Sequence, residues 1–285
     1  MQNLIETIRS SVTENSILPF SVYTSVKEQN LLNVPVAKPL LISVLDGDKA
    51  VGKNGEITCH SGDFIFLSDN PAINMRNIPK EKEYFALLIE FDFQDFDIIK
   101  NREFSDKHFF VGEITFELKK CLQQFVEWAL WAPKQMWPLR RKEIIQLLYH
   151  MGHKEILSMI GSSKVSQRIH SILNENPSED ISLQYICKQL AVSESTLRRK
   201  LKTEGASLQN IKDQVRQGLG LHLLQTTNYS ISYIAEQCGY QSQSRFTSRF
   251  KDRFGLTPSE LRKTKLTDSS GTTKSREVWG MVCQS

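Results

Sequence analysis

The chain has 285 residues, 40% of them apolar and 24% charged, which fits a soluble globular protein of one large or two ordinary domains. No apolar run approaches the ~18–20 residues of a membrane helix, and the opening MQNLIETIRSSVTENS does not read as a secretion signal. The net charge of +4 is uneven: residues 1–163 carry 18 Lys and Arg against 21 Asp and Glu, whereas residues 164–265 carry 16 against 9, so only the second half is expected to meet a polyanion.

Over the first ~110 residues the apolar pattern favours strands. PLLISVLDGDKAV (39–51), GEITCHSGDFIFLS (55–68) and EYFALLIEFDF (83–93) are separated by turn signals such as Asp46-Gly47-Asp48 and Lys53-Asn54-Gly55. Short strands at this spacing suggest an antiparallel barrel or sandwich. Leu41, Val44, Ile57, Phe64, Phe66, Phe85, Leu87 and Ile89 are candidates for its interior. Filled tightly, that interior is a core; left open, it is a pocket for an apolar or amphipathic small molecule.

From Ile114 the period becomes helical. Phe116, Leu118, Leu122, Phe125, Val126 and Ala129 fall mostly on one stripe, and after Pro133 and Pro138, read as breaks, Ile144, Leu147, Leu148 and Met151 resume it. The hairpin's apolar surplus implies either a dimer seam or docking onto the barrel. GSSKVSQ (161–167) is the candidate linker, and the Ser/Thr/Gly-rich stretch 266–285 reads as a flexible tail.

Two segments of the basic half repeat. ISLQYICKQLAVSESTLRRKLKTEG (181–205) overlays SISYIAEQCGYQSQSRFTSRFKDRFG (230–255), with Ile186 matching Ile234, Ala191 matching Gly239, Leu197 matching Phe246 and Leu201 matching Phe250. Each has a Ser-capped helix (Ser182, Ser230), a small residue at the turn and a second Ser-capped helix (Ser193, Ser242), the layout of a helix-turn-helix. Ile211, Val215, Leu219 and Leu223 recur every four residues between them, which predicts one long connecting helix containing Gly218 and Gly220. Thr257-Pro258 with Glu260 makes a capping box for a last helix.

Turned by 100° per residue, the second helix of the first copy points Ser195, Arg198, Arg199 and Lys202 outward. In the second copy Phe246, Phe250 and Phe254 face inward. Ser244, Ser248 and Lys251 face out, Arg245 lies to one side, and Gln243 sits at the leading end, nearer the core face. Ser195, Arg198, Arg199, Gln243, Ser244 and Ser248 are therefore candidates for base contact; two of them, Arg198 and Arg199, can offer bidentate donors to guanine, and Gln243 the same to adenine. Lys202, Arg245, Arg249 and Lys251 suit phosphate contact, while Arg253, nearest the core side, reads as structural.

The basic half resembles the AraC/XylS transcription regulators. The resemblance covers about residues 164–265 and is carried by Ile234-Ala235, Gly239-Tyr240, Phe246, Arg249-Phe250-Lys251, Phe254-Gly255, Thr257-Pro258 and Arg262, and in the first copy by Leu190, Val192-Ser193, Leu197, Arg199, Lys202, Gly205 and Arg216. Cys187 and Ala191 replace the usual Ala and Gly, Leu201 an aromatic, and Gly220 an Ala. The resemblance implies two recognition helices in successive major-groove segments of promoter DNA, ~34 Å apart. It also implies RNA polymerase as a partner, activation rather than repression, and a preceding cupin-like domain that dimerises, binds an effector, or both. PLLISVLDGDKAV…GEITCHSGDFIFLSDNP looks like that domain.

No enzyme, cofactor or metal is expected: Cys59-His60 has no second histidine near it to complete a cupin metal set. The five scattered cysteines give no CxxC pair or disulfide framework and suggest a reducing, cytoplasmic compartment. His150, His153 and His170 read as surface residues, although titration there would make a dimer seam pH-sensitive. The expected fold class is α+β: a cupin-like domain with its hairpin (1–160), a linker (161–167) and a DNA-binding domain (168–265), then the tail. That domain divides into helix-turn-helix one (182–204), a linker helix (207–226) and helix-turn-helix two (230–254). Rival readings are a regulator governed by its own abundance, a cupin-type enzyme fused to a DNA-binding domain, and a non-specific DNA binder.

Overall fold

The computed structural model describes residues 1–12, 17–68, 70–97, 108–159 and 164–265. The tail, Cys283 and the first three residues of the expected linker lie outside them. Helix α1 (Gln2–Ser11) precedes strands β1 (Ser21–Ser25), β2 (Gln29–Val36), β3 (Leu40–Asp46), β4 (Asp48–Val51), β5 (Ile57–Cys59), β6 (Asp63–Leu67), β7 (Asn70–Ile78), β8 (Tyr84–Glu90) and β9 (Phe109–Glu113). Helices α2 (Phe116–Ala129), α3 (Trp137–His150) and α4 (Glu155–Ser158) close the first domain. The second domain is helical: α5 (Val165–Glu175), α6 (Leu183–Leu190), α7 (Glu194–Thr203), α8 (Leu208–Thr226), α9 (Ile231–Gln237), α10 (Gln243–Phe254) and α11 (Pro258–Lys263).

The strands form two antiparallel sheets, ordered β1-β8-β3-β6-β9 and β2-β7-β4-β5. The larger sheet is buried on both faces, and the register shows which residue faces where. Leu41 lies opposite Phe66 and Ile89, and all three pack against the helical layer of α1, α2 and α3. Ile42 lies opposite Ile65 and Leu88, and these turn inward toward the second sheet.

This corrects the expected interior. Leu41, Phe64, Phe66, Phe85, Leu87 and Ile89 belong to the helix-facing cluster, not to the barrel interior. Val44, and Ile57 at its margin, do face inward, joined by Leu31, Val36, Ile42, Val51, Ile65, Met75 and Leu88. A strand buried on both sides reads as a continuous apolar run, so alternation carries no signal for the side it faces.

Most of the hairpin stripe is consumed by docking: Leu118, Leu122, Phe125, Val126, Ile144, Ile145 and Leu148 are buried in the cluster shared with the larger sheet, whereas Phe116, expected on the same stripe, is 70% exposed. Pro138 does not break α3 but opens it, lying in its first turn where no N–H partner is needed. Helix α1, unforeseen as a helix, buries Leu4, Ile5 and Ile8 in the same layer.

In the second domain, α8 is shared between two cores. Ile211 and Val215 on its first half pack with Ile169, Leu173, Ile186, Leu190, Leu197 and Leu201 of α5–α7. Leu221 and Leu224 on its second half pack with Ile234, Phe246, Phe250, Phe254 and Leu261 of α9–α11. This latter cluster is continuous with the inner face of the barrel, where α8 and α10 meet β2, the strand of Leu31 and Val34.

Helix α5 begins at Val165, inside the stretch read as linker. The Glu204 carboxylate, just past α7, accepts from the Val165 and Ser166 amides at 2.8 Å each. That contact ties the start of the domain to the end of its first recognition helix and satisfies two orphan helix donors.

Candidate nucleic-acid interface

Local chemistry fixes both helix-turn-helix units. The hydroxyls of Ser182, Ser193, Ser230 and Ser242 accept from the amides of Tyr185, Thr196, Tyr233 and Arg245, so all four helices start with a side-chain cap. The turns require a left-handed residue: Gly239 has φ +73° and Ala191 φ +52°. A Cβ at Gly239 would stand 2.8 Å from the Ser178 carbonyl oxygen, so the second turn also needs glycine for space.

Inside each unit the apolar residues point as expected. Leu197 and Leu201 anchor α7; Phe246, Phe250 and Phe254 anchor α10, fully buried, with ring centroids 5.5 and 4.5 Å apart. Ser195, Arg198, Arg199 and Lys202 are exposed on α7. Gln243, Ser244, Arg245, Ser248, Arg249 and Lys251 are exposed on α10. Gln243, expected nearer the core face, is thus exposed as well. Arg253 is different. It is partly buried with its guanidinium 5.9 Å from the Phe254 ring centroid, burial pulls its pKa down, and its carbonyl accepts from Asn33 Nδ2 of the barrel.

One residue on this surface was not anticipated. Glu194, in the first turn of α7, holds Arg198 through Nη2–Oε1 at 2.6 Å and Nε–Oε1 at 2.9 Å. An i, i+4 pair of this kind between exposed groups is worth only ~0.3–0.5 kcal/mol, so Arg198 can be released at little cost. The spacing was visible; its effect on the arginine's availability was not.

A second candidate site lies where the two domains meet. A cavity of about 420 Å³ runs from the inner barrel face, past Ile42, Lys49, Met75, Asn77 and Leu88, to His170, Gly218 and His222 of the helical domain. Its mouth carries Lys38, Asp92 and Arg141, which are paired with one another: Lys38 Nζ lies 2.8 Å and Arg141 Nη2 2.5 Å from the Asp92 carboxylate. Those cations hold the Asp92 carboxyl below its ordinary range against the opposing effect of burial. Lys49 lines the inner end, is 3% exposed and donates to Asn77 Oδ1 at 2.7 Å.

Two of the three histidines read as surface groups are partly buried. His153 packs between Phe64 and Phe110, at 5.2 and 5.3 Å between ring centroids, and His170 lines the interdomain cavity. His60 is exposed and pairs with Asp48. Among the described residues no group of three His, Cys, Asp or Glu is placed to hold a metal, and no helix is long and apolar enough to cross a membrane.

Two capped helix-turn-helix units on a shared helix, set against a cupin-like barrel, define a class of architecture. The family model for a helix-turn-helix domain matches residues 186–264. This region is 35% identical over 97 residues to the urease operon transcriptional activator of Escherichia coli, and 36% over 103 residues to the regulator YdeO of Escherichia coli K12. These matches take in 34% and 36% of this chain, but only 33% and 40% of those relatives. The C-terminal domain thus carries a helix-turn-helix domain similar in sequence to those of these regulators.

The whole fold is similar to that of ToxT from Vibrio cholerae. An apo form of ToxT carrying one lysine-to-alanine substitution aligns with TM-score 0.64 at 16% identity, over 88% of this chain and 99% of that one. A ToxT structure described as bound to an unsaturated fatty acid aligns with TM-score 0.63 at 15% identity, over 89% and 98%. At this identity the likeness concerns the fold alone.

Proposed function

We propose that this protein is a sequence-specific DNA-binding transcription regulator, an activator acting in the cytoplasm with RNA polymerase, and not an enzyme. The observation that carries the reading is the paired outward faces of α7 and α10. Each is polar and basic over an apolar anchor, and one helix fixes both. Ser195, Arg198, Arg199, Gln243, Ser244 and Ser248 then enter the grooves, and Lys202, Arg245, Arg249 and Lys251 hold the phosphates.

Competition binding at physiological salt tests this. Promoter fragments recovered by genome-wide mapping should bind ~10³-fold or more tighter than random duplex. Equal affinity for both would make the protein an architectural binder instead.

A second element concerns the interdomain cavity. It is apolar along the barrel and has a cation at its inner end, which suits a small apolar acid as effector. The fatty-acid-bound ToxT structure supports that chemistry. The exposed residues Leu130, Trp131, Met136 and Leu139 at the tip of the α2–α3 hairpin provide a surface for a homodimer. Sedimentation with and without DNA reports on it, and a monomer throughout would remove the dimer from the proposal.

A further inference from the structure

The inner end of the cavity begins a chain of buried hydrogen bonds that ends in the DNA-binding domain. Lys49 Nζ donates to Asn77 Oδ1 at 2.7 Å, and Asn77 Nδ2 donates to Gln29 Oε1 at 2.8 Å. Gln225 Nε2, on α8, donates to the same Gln29 oxygen at 2.9 Å. Gln29 Nε2 donates in turn to Thr264 Oγ1, beyond α11, at 2.7 Å. Gln29, Asn77 and Gln225 are each at most 2% exposed.

Lys49 is the group out of balance in this chain. It lies over the Tyr84 ring at 5.6 Å from the centroid, and among the described residues no carboxylate pairs with it. A buried ammonium without a counter-charge is costly, and burial lowers its pKa to about 8, so it is still mostly a cation at pH 7. The two cations at the mouth are already matched by two carboxylates, Lys38 by Asp92 and Arg141 by Asp92 and Asp95. An anionic ligand therefore finds its unmatched partner at the inner end.

We propose that Lys49 senses the negatively charged head of a ligand in this cavity, and that Asn77, Gln29 and Gln225 are positioning residues that carry its state to the DNA-binding domain. The proposal rests on the effector reading above. A carboxylate at Lys49 competes with Asn77 Oδ1 for the ammonium. Once released, the Asn77 amide can turn and withdraw its donor from Gln29. The oxygen that Asn77 and Gln225 share then changes its occupancy, and with it the hold of the barrel on α8 and on the end of α11. Buried polar networks respond as a unit, which suits them to this role.

The test uses the full chain with two probes of one shape, oleate and uncharged oleyl alcohol. Wild type should bind oleate at least tenfold tighter than the alcohol, and Lys49→Met should erase that preference while leaving alcohol binding. Oleate should shift wild-type DNA affinity within the ordinary 5–150-fold range of coupled sites. Gln225→Met leaves Gln29 its Asn77 donor; it should bind oleate within about twofold of wild type but lose the DNA shift. Lys49→Met keeping the preference, or Gln225→Met keeping the shift, overturns the proposal, as does oleate binding to wild type without any shift. If Lys49→Met does not fold, wild type titrated from pH 7 to 10 supplies the same readout: the oleate preference should decline above about pH 8, and a flat profile overturns the proposal. Wild type that binds promoter DNA but neither probe refutes the effector reading itself, a result distinct from failure of the relay alone.

Discussion

Gly220 on α8 lies directly against the ring of Phe246 on α10: a Cβ at 220 would stand 2.7 Å from Phe246 Cε2 and 2.9 Å from Cζ. The ring is fully buried and packs against Tyr240 and Phe250, with centroids 5.4 and 5.5 Å away. The glycine is therefore a spacing device between α8 and α10.

Gly220→Ala gains ~1 kcal/mol of helix propensity but costs ~1–3 kcal/mol through overpacking. We expect a net loss of about 1 kcal/mol in thermal or urea unfolding. Because Phe246 belongs to α10, promoter affinity should fall more than stability alone accounts for. An alanine variant more stable than wild type would show that the ring has room to move.

Ala191 closes the first turn in the left-handed region, φ +52°, where its repeat partner is Gly239. A Cβ in that conformation costs ~1–2 kcal/mol. Ala191→Gly should stabilise the protein by ~1 kcal/mol, after the extra unfolded-chain entropy of glycine is deducted. The check is the urea midpoint at unchanged slope.

Arg199 and Lys251 should separate cleanly on DNA. Arg199→Ala removes a bidentate donor and should cost ~1–3 kcal/mol at one base position while relaxing the preference there. Lys251→Ala should weaken all sequences evenly and make the slope of log K against log salt shallower by ~0.9. Identical, sequence-independent effects would refute the division of roles.

The seam between the domains should weaken in acid. Burial lowers His170 to about 4 and, to a second extent, the nearby Lys38 charge does the same. His222 is also lowered by burial, against the pull of Glu90. A lowered histidine favours the folded, uncharged form. Its contribution is complete above the ordinary value near 6.5 and is lost as pH falls from there toward 4.

Lys49 has taken up its proton already above this window, the lowered carboxylate of Asp92 acts below it, and that of Glu204 enters only at its acid end. Wild-type melting temperature should therefore drop between pH 6.5 and 4, and His170→Gln should flatten that drop. Parallel profiles for the two proteins would assign the acid response elsewhere.

Much of the helical domain is legible in the sequence because each signal there is local. A serine caps the helix that follows it, and leucine or phenylalanine at every fourth place can face only one way. The barrel's inner wall is not legible. Leu41 and Ile42 are equally apolar, and only the pairing with Phe66 or Ile65 shows which side each faces. The interdomain relay is hidden for another reason. Gln29 and Gln225 stand 196 residues apart and look like surface glutamines until the fold buries them together. His170 is misjudged in a similar way, since only the fold places it in the cavity between the domains.

The apolar cluster that runs without a break from Leu31 and Leu88 to Leu224 and Phe250 bears on how this protein can be cut and recombined. The two halves look like modules in the sequence, but their shared interior would be torn open by division at residue 164. A chimera that joins this α5–α11 segment to another barrel must reproduce Leu31, Val34 and the Gln29 amide, or leave Leu221 and Leu224 facing water. Exchange of domains by recombination is thus restricted to donors whose barrel already fits the apolar face of α8 and α10.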